Sequence, residues 1–491
     1  MTPTDDPPAI TPAAPGRAPA RGAAPARPTR DSVTTIRPDG SRPYLHPAAT
    51  RGRFTVARRV VALTLLVIYL ALPWIQLNGH PAVFLDVAHL RFHLFGLTLA
   101  AQDLWLLFFV FTGVGFSLFF VTALFGRIWC GWACPQTVFL EHVYRPIERL
   151  IEGDAVARRA LDAAPWSWRK FRLRALKQGV YVLLSAVFTH LFLAYFVSLP
   201  EVWSMVRQAP AEHWGAFVFM AGYTGLTYFI FSWFREQVCI VLCPYGRMQS
   251  VLTDEHTLAV GYDQRRGEPR GLGAGSGDCV DCGRCVQVCP TGIDIRQGLQ
   301  LECVGCTACV DACDPVMVKL GRPRGLIRYD SLMGFAGGRT RWFRPRTLLY
   351  FGLLLAGAAV GAWALSSVRP AAFGVTRMTG APYLVDAGVV RNQFLVRVVN
   401  KRSAPARFRI ELPEAPADLR RAGLEEEFEV APLGEVVRPL VLQRDRARVG
   451  GPFHLRVELR DAAGTFRLSR EVEFLGPEAG GRREEVRDGA R

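Results

Sequence analysis

Five long stretches without Asp, Glu, Lys or Arg constrain this chain more than any other feature: Val60–Asn78, Leu104–Gly126, Gln178–Pro200, Trp214–Phe234 and Thr347–Val368. Each has about the 20 residues a helix needs to cross a hydrocarbon core. Buried core helices of a soluble protein are the alternative. Five such runs, each flanked by Arg or Lys on one side, weigh against it. The formal net charge of +16 would also suit a nucleic-acid partner or an acidic one. Its distribution favours a lipid bilayer, and no nucleic-acid partner is expected.

The basic residues alternate between flanks. Arg51, Arg53, Arg58 and Arg59 precede the first run, whereas residues 79–103 carry only Arg91. Residues 127–177 are strongly basic, 201–213 carry only Arg207, and 235–346 end in Arg339, Arg341, Arg344 and Arg346. By the positive-inside rule the N-terminus is cytoplasmic and the C-terminus periplasmic, in a multi-pass protein of the bacterial cytoplasmic membrane. Residues 1–50, rich in Pro, Ala, Thr and Arg, read as a disordered tail, with a docking arm as the functional alternative and no secretory signal.

Beyond the fifth run the pattern changes to period two. Phe394, Val396 and Val398 share one face, as do Phe408, Ile410 and Leu412; Leu455, Val457 and Leu459; and Phe466, Leu468, Val472 and Phe474. Turn signals fall at Asn400–Lys401 and Ala463–Gly464. Short strands at this spacing predict an immunoglobulin-like β-sandwich. The expected order is a tail (1–50), four transmembrane helices (51–250), a cytoplasmic ferredoxin-like segment of α+β type (251–346), a fifth helix (347–368), a periplasmic sandwich (370–480) and a frayed end (481–491). The fold class is an α-helical membrane bundle with these two appended domains.

Twelve cysteines fall between positions 130 and 313, all at or beyond the cytoplasmic ends of the runs. Cys279, Cys282, Cys285 and Cys289-Pro290 form C-x2-C-x2-C-x3-C-P, the bacterial ferredoxin pattern. Cys303, Cys306, Cys309 and Cys313 repeat it, ending in Cys-Asp314-Pro315 rather than Cys-Pro. In this pattern the fourth cysteine reaches the other cluster. Cys279, Cys282, Cys285 and Cys313 then hold one 4Fe–4S cluster, and Cys303, Cys306, Cys309 and Cys289 the other. Structural zinc instead favours two C-x2-C pairs separated by a longer loop. Gly283, Gly292 and Gly305 leave room for the backbone to wrap a cluster.

A second motif occurs twice: Cys130-Gly-Trp-Ala-Cys134-Pro and Cys239-Ile-Val-Leu-Cys243-Pro. A helix continuing through each pair would place both thiols on one face. The four together would make a soft site for Cu(I), zinc or a further iron–sulfur group, or four inert packing cysteines. His190, in the middle of the third run, is a candidate intramembrane functional group. Residues around Glu141, His142, Arg145 and Glu148 read as an interfacial amphipathic helix. His80, His89 and His93 could bind copper, though loop histidines usually bind nothing. No haem-attachment, P-loop or dinucleotide-binding pattern is present.

The stretches GRIWCGWACPQTVFLEHVYRPIERLIEG (126–153), EQVCIVLCPYGRMQSVL (236–252) and GRPRGLIRYDS (321–331), with both ferredoxin runs, resemble the cytochrome c oxidase accessory proteins called CcoG, FixG or RdxA. The C-x3-C-P pairs alone are shared with a broader set of membrane polyferredoxins. The resemblance implies a role in assembling the cbb-type oxidase by reducing Cu(II) to Cu(I). Cys130, Cys134, Cys239 and Cys243 are then the candidate redox or copper site, and the oxidase or its copper-delivery factors are the partners. A soluble, acidic cytoplasmic donor suits the basic surface. A quinol-linked carrier with a pocket near His190 and a non-catalytic redox-sensing scaffold are the competing readings. Oligomeric state is left open.

Overall fold

The computed structural model describes residues 44–477, apart from 89, 100–102, 367–368, 403, 425, 463 and 465. Most of the expected tail, the frayed end, His89 and Ala463 therefore lie outside the described residues.

Five helices are long and apolar enough to span a membrane: α1 (Arg53–Ala71), α2 (Leu106–Phe125), α3 (Trp168–Leu193), α4 (Trp214–Phe229, extended by a π-helical turn to Phe234) and α5 (Pro345–Ser366). The second, fourth and fifth sit where the uncharged runs predict. The first is displaced: α1 begins at Arg53 and stops at Ala71, before Pro73, whose ring and missing N–H disfavour a continuing helix. The third begins ten residues ahead of the uncharged run, since the basic stretch Arg169–Lys177 is the first part of α3. His190 consequently lies in the last turn of α3 and not at its centre. Large apolar side chains on these helices point outward, among them Phe108, Phe111, Leu183 and Leu355. Lipid is the solvent that such a surface requires.

The chain divides into two compact units. One comprises Met1–Ile68, Gly115–Thr189 and Gly215–Leu353, and contains all twelve cysteines. The other comprises Tyr69–Val114, His190–Trp214 and Leu354–Arg491.

The second unit holds nine strands in sandwich form. These are β1 (Ala371–Arg377), β2 (Leu384–Asp386), β3 (Val389–Asn400), β4 (Ala406–Glu411), β5 (Arg420–Ala422), β6 (Phe428–Val430), β7 (Glu435–Asp445), β8 (Phe453–Asp461) and β9 (Arg467–Phe474). One sheet runs β5-β7-β3-β1 with β2 beside β3; the other runs β6-β4-β8-β9. All pairings are antiparallel. The expected alternation is realised: Phe394, Val396 and Val398 from β3 meet Phe408, Ile410, Leu455, Val457 and Leu459 in one core. Asn400, read as a turn residue, ends β3 and is fully buried. Its Nδ2 donates to the carbonyls of Ala404, Val430 and Ala431 at 2.8–3.2 Å, and its Oδ1 accepts from Arg402 N at 3.0 Å. Asn400→Ala would strand these buried groups, at about 1–3 kcal/mol for each one left unsatisfied. A drop in the sandwich's unfolding midpoint with unchanged iron content is the expected result, read by thermal denaturation.

The same unit holds a three-stranded antiparallel sheet, Val83–Asp86, Arg91–Leu94 and Leu97–Leu99, for which the sequence reading had no expectation. His93 is buried there, with its ring stacked on His80 at 4.0 Å between centroids and its Nδ1 2.9 Å from Thr98 Oγ1. Burial, then the neighbouring His80, lowers the His93 pKa to about 4.

Candidate iron–sulfur and membrane-edge thiol sites

The two ferredoxin runs repeat one backbone design. Asp281 and Gly305, each just before the second cysteine of its run, have φ of +55° and +66°. Gly283 and Thr307, each just after it, have φ of +65° and +60°. Alternating left- and right-handed residues turn successive N–H groups inward and form a concavity suited to an anion. At Gly283 that conformation is free of strain. At Thr307 it is held by a β-branched residue, whose hydroxyl donates to the Cys306 carbonyl at 2.6 Å.

Each run then opens a helix, Arg284–Gln287 and Ala308–Lys319. Cys309 and Cys313 lie one turn apart on the second helix, about 6 Å along its axis. They face different cavities. One cavity is lined by Cys279, Cys282, Cys285 and Cys313. The other is lined by Cys289, Cys303, Cys306 and Cys309, with Cys285 on its edge.

Four thiolates around an inward-facing N–H cradle fit a 4Fe–4S cluster. Among the described residues no three His, Cys, Asp or Glu side chains converge as ligands of a single ion. A cubane does not need that convergence, since each iron takes one thiolate. Burial raises the thiols, to about 11 at Cys285 and about 12 at Cys303 and Cys313. These three thiols keep their protons until a metal displaces them.

The C-x3-C-P pairs do not sit on continuous helices. Cys130 lies in a short helix, Ile128–Trp132, while Cys134 caps the next one with extended backbone (φ −60°, ψ 128°). Cys239 lies in a π-helical turn, and Cys243 is again extended (φ −67°, ψ 111°). The cause is the following proline, which drives the residue before it out of the helical region. The pairs nevertheless meet. Cys134 and Cys130 each add to burial in raising the Cys239 thiol, and Cys243 does the same at Cys134. Burial lifts Cys130 to about 11.

These thiols also meet the ferredoxin segment. Cys130 and Cys239 share one apolar cluster with Cys306, Val288 and Val304. The approach is so close that a Cβ on Gly131 would lie 2.6 Å from the Val304 carbonyl oxygen. A Cβ on Gly305 would lie 3.1 Å from that of Arg127. Arg58, buried in α1, donates through Nε to the Gly131 carbonyl at 3.0 Å. Fully buried Gln249 places its Oε1 3.6 Å from Cys130 Sγ. Sequence reasoning used Arg58 only as a flanking charge and passed over Gln249. The only local signal was a glycine inside C-G-W-A-C.

Known proteins carry the same features. A family described as a 4Fe–4S dicluster domain matches residues 234–273 and 271–332, and one described as a 4Fe–4S binding domain matches 104–153. An IG-like fold at the C-terminus of FixG matches 361–477. Nitrogen fixation protein FixG of Rhizobium meliloti is 37% identical, over 72% of this chain and 76% of its own length. Protein RdxA of Cereibacter sphaeroides is 36% identical, over 86% and 94%. The chain belongs to the FixG/RdxA family. Like its relatives it is a membrane polyferredoxin, an iron–sulfur electron-transfer protein with membrane helices. A solved FixG-related protein from Vibrio parahaemolyticus aligns with 22% of this chain and 97% of its own, at 21% identity and a TM-score of 0.20.

Around the shared thiol face this FixG/RdxA-family chain buries an ionic network. The segment expected as an interfacial amphipathic helix is helical, but its charged face is the buried one. A π-helical turn (Leu140–Tyr144) and a short helix (Arg145–Glu152) put Arg145, Glu148 and Glu152 inside. Glu148 pairs with Arg158 at 3.0 Å, Arg235 at 2.5 Å and Lys177 at 3.6 Å. Burial alone would raise its carboxyl, but Arg235, Lys177 and Arg158 outweigh it and hold the pKa at about 2. Arg145 pairs with Glu141 and Glu236, and its Nη2 donates to the Pro290 carbonyl at 3.2 Å, next to Cys289. His142 is lowered to about 4 by burial and then by Arg58. The network therefore ties the chain after the first C-x3-C-P pair to the ferredoxin run.

Proposed function

We propose that this chain passes electrons from a cytoplasmic donor through two 4Fe–4S clusters to Cu(II), yielding Cu(I) for assembly of a cbb-type cytochrome c oxidase. The observation that carries the reading is the packing of Cys130 and Cys239 against the Cys303–Cys309 loop. Cys279, Cys282, Cys285 and Cys313 would hold one cluster, and Cys289, Cys303, Cys306 and Cys309 the other. When bound, such clusters supply one-electron storage and transfer. Cys130, Cys134, Cys239 and Cys243 would receive the cupric substrate. Soft thiolates favour the reduced ion, and one electron from the chain balances Cu(II) to Cu(I).

Cys282 is the exposed member of its set, which suits it to meet a soluble acidic donor. The positive flanks support a cytoplasmic face for the thiols and a periplasmic sandwich for residues 370–480, in a bacterial cytoplasmic membrane. The resemblance to the oxidase accessory proteins supports an oxidase or its copper-delivery factors as the partners.

The test is anaerobic. Reduced protein in detergent is mixed with Cu(II), and cluster absorbance is followed while a chelator traps Cu(I). Cluster reoxidation in step with Cu(I) formation is expected. Cys→Ser at 130, 134, 239 or 243 should slow it at least about tenfold, equivalent to about 1.4 kcal/mol of barrier, with iron content retained. Unchanged rates in all four variants remove the membrane-edge thiols from the reaction.

A further inference from the structure

A cavity of about 330 Å³ opens beside the second ferredoxin run. Cys303 and Gly305 form part of its wall, so a molecule inside touches the loop assigned to one cluster. Phe125, the last residue of α2, and Arg127 form another part. The rest of the lining is mainly apolar, with Val260, Leu299, Leu301 and Leu332. It lies far along the chain from His190, where a quinol-linked carrier was expected to keep its pocket.

The polar groups in this lining are of two kinds, donors such as Arg127 and Gln249 and the carboxylates Asp254 and Glu255. Arg127 has a guanidinium that donates to the Gly246 carbonyl. Gln249 is fully buried, and its Nε2, near the Tyr245 hydroxyl, meets no acceptor at hydrogen-bonding geometry. Thr253 and Thr257 also reach the wall. An apolar pocket of this size with a small number of donors is the usual form of a small-molecule site. Donors and carboxylates on the wall of an apolar slot select a flat, apolar molecule that carries both carbonyl and hydroxyl oxygens. The end of a membrane-spanning helix selects one that arrives dissolved in lipid.

We propose that this cavity binds the head group of a membrane quinol and is a second electron entry to the chain. The proposal rests on the iron–sulfur reading and not on copper as the acceptor. The quinol loses two electrons and two protons and becomes the quinone. The electrons pass one at a time across the Cys303–Gly305 wall to the two one-electron carriers of the ferredoxin segment. The protons leave to cytoplasmic water past Glu255, an exposed carboxylate on the wall.

The test uses the full chain in detergent with a photoreactive azidoquinone, followed by peptide mapping. Labelling within 249–260 or 299–305, competed by excess short-chain quinone, is expected. Ala259→Trp and Leu299→Trp each fill the slot and should cut the label at least tenfold with iron content unchanged. Leu299 is partly exposed, so its variant folds even where Ala259→Trp does not. No label, label elsewhere, or label that survives both substitutions overturns the cavity. Competed label in wild-type protein that fails to reduce Cu(II) with dithionite supports the cavity and overturns the copper reading alone.

Discussion

Cys313→Ser should remove one whole cluster, and it should be the one bound by cysteines far upstream. Iron should fall from about eight to about four atoms per chain. The reason is the crossed geometry. Cys313 faces the cavity of Cys279, Cys282 and Cys285 although it closes the other run. The pairing of variants gives the sharper result. Cys313→Ser combined with Cys279→Ser should be no worse than either alone, because both disable the same site. Cys313→Ser combined with Cys306→Ser should lose nearly all iron, because the two disable different sites. Groups in one unit are non-additive, and independent ones add. The mirror experiment pairs Cys289 with Cys306. Iron analysis and reduced-state paramagnetic resonance read all of these. If Cys313→Ser with Cys279→Ser lost all iron, each run would be filling its own cluster and the partition would be wrong.

What sequence could show here follows from how local each signal is. Ligand spacing is local, so the two ferredoxin runs stood out in the sequence. The spans were legible as uncharged runs. The starts of α1 and α3 were not, because basic residues continue a helix into the interface as readily as apolar ones do. Alternation in Phe394–Val398 and Leu455–Leu459 marked the sandwich core, whereas short or Pro-containing strands such as Arg420–Ala422 and Glu435–Asp445 carried no clean period. Proline's effect on Cys134 and Cys243 was in the sequence, but helical continuation through the pairs was the simpler picture and is not what the chain adopts. Least legible was the ionic network. A charged, periodic segment reads as an interfacial amphipathic helix, and only tertiary contacts with Arg235, Lys177 and Pro290 turn the charged side chains of Arg145–Glu152 inward.

That network sets the second large expectation. Glu148→Gln should destabilise the cysteine-bearing unit of the protein by about 3–5 kcal/mol, the usual cost of removing one partner from a buried charge cluster. Arg158, Arg235 and Lys177 would be left around a neutral amide, with Arg158 and Arg235 only 1–2% exposed in their side chains. Glu148→Asp keeps the charge on a shorter arm and should lose less. The pH dependence separates this from a packing defect. A carboxyl held at about 2 when folded contributes its full stabilisation above its ordinary unfolded value of about 4.3, and loses it only as pH falls from there through 2. Between pH 6 and 8 the difference between wild type and Glu148→Gln should therefore be constant. A difference that changed over that window would assign the stabilisation to a group titrating near neutrality, not to Glu148. Thermal midpoints in detergent across that range measure it. A second readout follows from the Arg145 contact with Pro290. Loosening the network frees the ferredoxin run beside Cys289, so Glu148→Gln should also speed loss of iron to a chelator. Cluster retention in this chain would then depend on an ion cluster that contains no ligand at all.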